Sequence, residues 1–136
     1  MINISSSVLY TLSDSNCGYI INNSFGGSGS KGYLKTNNTN WEVLASFIFT
    51  GTEDTGTPTT FQIISWSKDG TTSFVRLFDY NNNNEIAEIT VGSSTRQILL
   101  DATLSNLPIG KSIFEIQGKV TKDKKELYIE SIMLKI

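Results

Sequence analysis

Residues 73–91, SFVRLFDYNNNNEIAEITV, hold two alternating runs of apolar and polar residues on either side of four consecutive asparagines. Alternation with period two sends every second side chain to the same face of a strand, so a segment written this way buries one face and wets the other. Asparagine tolerates left-handed backbone and bonds its own turn, so Asn81 to Asn84 predict a hairpin tip. Similar runs recur along the sequence, and almost nothing with helical period interrupts them.

A pass along the chain fills in the rest. SVLYTL (7–12) and GYIIN (18–22) are short β-like runs, and FGGSGSKG (25–32) predicts a flexible Gly/Ser loop. In WEVLASFIFT, strict alternation puts Trp41, Val43, Ala45, Phe47 and Phe49 on one apolar face, which makes Trp41 a core residue of a central strand. GTEDTGTPTT (51–60) is an exposed loop. FQIISWSK (61–68) is a strand, and the Asp69-Gly70 that follows predicts a hairpin onto the run beginning at Ser73. RQILLDATL (96–104) reads as strand in preference to helix, with Ile98, Leu100, Ala102 and Leu104 on one side. KSIFEIQGKV (111–120) and KELYIESIMLKI (125–136) are predicted to pair across a charged tip, TKDK, with the last strand held inside a sheet.

The expected fold is therefore all-β: one domain spanning 1–136, an antiparallel two-sheet sandwich of jelly-roll type with about eight to nine strands. A closed barrel is the alternative. At 136 residues such a domain can bury a core without disulfides or metals. Charged residues make up only 18% of the chain, so its wet faces must be largely Ser, Thr, Asn and Gly.

Composition also narrows function. There is no histidine, which removes Ser-His-Asp and Cys-His systems, the usual zinc sets and the commonest neutral-pH base. Cys17 is the only cysteine, which excludes an internal disulfide; a buried apolar role suits it better than a reactive one. GGSGSKG has the wrong spacing for a phosphate loop. Glu53, Asp54 and Asp69 are too scattered to predict a calcium loop, and no cofactor or metal is expected. A net charge of −2 offers no case for nucleic acid or an anionic membrane. Lys119, Lys122, Lys124 and Lys125, offset by Asp123 and Glu126, read as a solvated tip. The N-terminus lacks the basic and apolar regions of a signal peptide, which points to synthesis in a cytoplasm. The sequons at Asn3, Asn22 and Asn37 then carry no glycan.

Two groups of side chains invite a functional reading. Alternation places Arg76, Glu88 and Glu115 on one kind of face. They could form a carboxylate pair for glycoside cleavage, but a cross-strand ion-pair cluster that fixes register is preferred, and the chain is not expected to be an enzyme. Trp66, Tyr33 and Tyr80 are the aromatic residues best placed to stack against sugar rings, whose C–H faces complement aromatic faces.

Finally, FIFTGT (47–52), VRLFDYNNNNEIAEI (75–89) and LPIGKSIFEIQ (107–117) together resemble small β-sandwich virion proteins of phages and large DNA viruses. The matching residues are Val75, Arg76, Leu77, Asp79, Asn81, Ile86, Ala87 and Glu88, with Glu115, Ile116 and Gln117. The resemblance covers about residues 41–136 and implies a structural protein of the virion: capsid decoration, minor capsid protein or fibre head. It would act by self-association, with a homo-oligomer (a trimer favoured) or capsid proteins as partners. A carbohydrate-binding module using the exposed aromatics is the alternative.

Overall fold

The structure, a computed structural model, describes residues 33–55, 57–96 and 98–135, and earlier in the chain the strands Ile2–Asn3 (β1), Val8–Thr11 (β2) and Gly18–Ile21 (β3). The Gly/Ser stretch 25–32 and Cys17 lie outside the described residues. The remaining strands are Leu34–Thr36 (β4), Glu42–Phe49 (β5), Thr60–Ser67 (β6), Ser73–Asp79 (β7), Asn84–Val91 (β8), Ile98–Thr103 (β9), Ser112–Val120 (β10) and Leu127–Lys135 (β11). One helical turn, Thr52–Thr55 (α1), interrupts the loop predicted after β5.

The strands form two sheets, ordered β1-β5-β10-β7-β8 and β2-β3-β11-β6-β9. β4 pairs with β11 on the edge it shares with β3, one toward each end of the long strand. The expected all-β sandwich is present. Every pairing is antiparallel except that of β1, which lies parallel to β5. Ile98–Thr103 is strand, as preferred, with Leu100 and Ala102 packed toward the core while Leu99, Asp101 and Thr103 face water.

Alternation explains which side chains are inside. Ser73, Val75, Leu77 and Asp79 of β7 are buried, as are Phe61 and Ile63 of β6 and Phe114 and Ile116 of β10. Phe114 stacks on Phe49 at 4.7 Å and meets Phe47 edge-on at 5.8 Å, forming an aromatic centre between the sheets. Each such ring withdrawn from water contributes about 1.5–3 kcal/mol.

Three expectations about pairing are corrected. The Asp69-Gly70 turn does not close a hairpin: β6 lies in one sheet and β7 in the other. Both residues adopt left-handed backbone, φ 56° and 68°, and this pair of residues turns the chain across the sandwich. Likewise the TKDK tip carries the chain from β10 to β11 in the opposite sheet. Period two tells which side of a strand is wet, but says nothing about which strand lies beside it. The local hairpin predicted around the asparagines does form, with Asp79 opposite Asn84 and Ser73 opposite Val91.

Trp41 is the third correction. The pairing of β5 with β10 slips between Ile116 and Gln117, so that Ala45 faces Ile116 while Val43, not Leu44, faces Gln117. Such a bulge reverses the side-chain parity beyond it. Leu44 is thereby buried, and Trp41 emerges partly exposed on the outer face of the five-stranded sheet.

Candidate functional site

That outer face carries the richest arrangement of rings and hydrogen-bonding groups. From β7 it receives Phe74, Arg76 and Phe78, and from β10 Ile113, Glu115, Gln117 and Lys119. β5 and the residue before it add Trp41, Val43 and Ile48; β8 adds Glu85, Glu88 and Thr90. Strand pairing fixes the neighbours: Gln117 faces Arg76, and Arg76 faces Glu88.

Rings and cations alternate across this surface. The Arg76 guanidinium lies 4.2 Å from the Trp41 ring centre and 4.5 Å from that of Phe78. The Lys119 ammonium lies 4.6 Å from Trp41 and 5.5 Å from Phe74. Each contact is worth about 0.5–1 kcal/mol at a partly wet site, and together they hold long side chains in fixed positions. A polar chain crosses the same residues: Arg76 Nε donates to Gln117 Oε1 at 2.7 Å, and Gln117 Nε2 donates to Glu115 Oε1 at 2.9 Å. Arg76 also pairs with Glu85 at 3.6 Å. Ile48 and Ile113, directly opposite one another, extend the surface with 45% and 40% of their area exposed.

The three residues expected to form an ion-pair cluster therefore share one face but are connected differently. Arg76 sits opposite Glu88, yet its ion pair goes to Glu85, and Glu115 is reached only through Gln117. A bulge between Leu77 and Phe78 brings Glu85 opposite Phe78, within reach of the guanidinium. Glu88 and Glu115 lie on strands separated by β7 and are offset by two residues. Strand spacing puts their backbones roughly 12 Å apart.

Of the aromatics proposed to stack on sugars, the structure brings two together and leaves the third apart. Tyr33 meets Trp66 edge-on at 5.7 Å, and both contact Tyr128, which stacks on Trp66 at 5.4 Å. Arg96 covers Trp66 from 5.3 Å and pairs with Glu130. Trp66 points away from the core, but only 8% of it remains exposed, because its neighbours occupy its surfaces. Tyr80 follows the end of β7 and is 59% exposed. Tyr128 was not singled out among the aromatics, and a register shift between Ile129 and Ser131 breaks the alternation of its strand. Its hydrogen bond to Glu126, with partial burial, pushes its phenol up to about 12.

One ion pair ties the Asp69 turn to the charged tip after β10. Asp69 accepts from Lys125 Nζ at 2.6 Å, which lowers its carboxyl below the usual range. Among the described residues no three Cys, Asp or Glu side chains gather as a metal site would require.

The sandwich belongs to a widely shared architecture. Its fold is similar to that of a glycoside hydrolase family 43 arabinoxylan arabinofuranohydrolase from Bacillus subtilis, solved in complex with cellotetraose. That match has a TM-score of 0.58 at 11% identity over 99% of this chain, which spans 28% of the enzyme. It is similar to a family 6 carbohydrate-binding module, TM-score 0.55 at 10% identity, covering 86% of this chain and 93% of the module. It also resembles the CBM36-1 domain of a multidomain xylanase from the hindgut metagenome of Trinervitermes trinervoides. There the TM-score is 0.52 at 17% identity, over 96% of this chain and 91% of the domain. No protein-family model and no curated protein matches the sequence. Likeness at these identities establishes the β-sandwich fold.

Proposed function

We propose that the chain is a non-catalytic carbohydrate-binding module that holds a glycan against the outer face of its five-stranded sheet. The observation that carries this reading is the row Phe78–Arg76–Trp41–Lys119–Phe74, flanked by Gln117 and Glu115. Sugar rings present apolar C–H patches beside hydroxyls. A partner needs rings or aliphatic side chains next to planar groups that donate and accept in fixed directions. This face offers both across neighbouring strands, and cation–π contacts hold the polar groups in place before any ligand arrives. The fold is one that the carbohydrate-binding modules described above also use.

This location differs from the aromatics the sequence suggested. Trp66 and Tyr33 are packed against Tyr128, so they stiffen the opposite sheet rather than offering open ring faces.

The test is a glycan array followed by calorimetry on the strongest ligand. Trp41→Ala is expected to weaken binding at least about tenfold, the scale of losing one well-packed aromatic contact. Trp66→Ala is expected to lower stability and leave the affinity of the folded protein within about twofold. A blank array overturns the reading. The virion role implied by the sequence resemblance is a separate proposal resting on that resemblance, and it survives such a blank.

A further inference from the structure

We infer that the module has a second ligand site, a groove at one end of the sandwich that takes a single uncharged pyranose or the terminal residue of a glycan. The groove has a volume of about 530 Å³ and is lined by Asn82 and Asn84 on one side and Asn106, Leu107, Pro108, Ile109, Gly110 and Lys111 on the other. That volume lies within the range of pockets for small ligands.

The lining chemistry suits a neutral sugar. Three side-chain amides, each able to donate and accept, match vicinal hydroxyls, which do the same. Ile109, 70% exposed, offers an aliphatic patch for a pyranose C–H face. Lys111 is the one ionised group on the lining, and a lone exposed ammonium is screened by solvent. An anionic ligand therefore gains little net attraction here.

Both walls are built to stay in place. Asn81 Oδ1 accepts from the Ile113 amide at 2.7 Å, and Asn82 Nδ2 donates to buried Asp79 at 2.7 Å, tying the hairpin tip to β10. Opposite, the amides of Thr52 and Glu53 bond the Pro108 and Ile109 carbonyls, and the Ser105 amide bonds the Ile86 carbonyl. Gly51 lies so close beneath this loop that a Cβ there would stand 2.2 Å from the Ile109 oxygen, and its φ is +100°. A glycine is required at that contact. Rigid walls spare a ligand the ordering cost that a mobile loop imposes.

The site extends the glycan-binding reading, and its test keeps the two apart. The 15N-labelled chain is titrated with the methyl glycosides of glucose, galactose, mannose and xylose, and with glucuronate. At least one neutral glycoside is expected to give saturable amide shifts at Asn82, Asn84, Asn106 and Gly110, with millimolar affinity and no dependence on salt. Asn106→Gly keeps the backbone at its φ of 59° and removes the amide, so it should weaken that binding about threefold to tenfold. Gly51→Ala should shift the loop and weaken it as well. Trp41→Ala should leave it unchanged. The inference is overturned if no neutral glycoside gives saturable shifts in these loops, if shifts fall only on β5, β7 and β10, or if glucuronate binds more tightly in a salt-dependent way. Loss of the sheet-face binding alone overturns the earlier proposal and leaves this one standing.

Discussion

Trp41 shows how much can turn on one residue. Its place in an alternating run assigns it to the core, and one unpaired position at Leu44 moves it to the solvent face, where Arg76 and Lys119 lie against its ring. Nothing in the local sequence marks that slip, because Leu44 and Ala45 are both apolar and either could point inward. Arg76 was legible as a residue that needs partners, whereas its choice of Glu85 over Glu88 depends on a second bulge. Tyr128 yields a prediction at this level. An ultraviolet titration should show a tyrosine ionising near 12, and Glu126→Gln should bring it back toward the ordinary value of about 10. Because the folded value is raised, Tyr128 contributes stability that is complete below about pH 10 and lost as pH rises toward 12.

Among the elements, the β7–β8 hairpin was the most completely readable. Its pairing, its tip and the faces of β7 follow from alternation and from the four asparagines, whereas the bulge that buries both Ile86 and Ala87 of β8 does not. Less visible was the role of Asp79. Its carboxylate is fully buried, accepts from Ser112 Oγ and from both the backbone and side-chain nitrogens of Asn82, and so joins the hairpin to the start of β10. Asp79→Ala should lower unfolding free energy in urea by about 2–3 kcal/mol, because it leaves buried donors without an acceptor. Asp79→Asn, which keeps one oxygen, should cost less. The charged and Asp-Gly turns were legible as turns but not as crossings between sheets.

In the molecule as a whole, the strands that follow β1, β4, β5, β6, β8, β9 and β10 each lie in the other sheet, so neighbours in sequence are rarely neighbours in a sheet. The core this creates is shared by both layers, with Phe114 at its aromatic centre. Phe114→Ala should destabilise the domain by about 3–5 kcal/mol in the same urea experiment, as expected for a ring removed from a filled interior. The sequence by itself determined the β class, most strand positions and, along most strands, which residues are wet, because these depend on period-two alternation and turn chemistry within a few residues. Strand order, the bulges, the row of rings and cations, and the groove between loops were decided only by tertiary structure. Most of these require residues far apart in the chain to meet, as Trp41 meets Arg76, and local pattern carries no record of such pairings.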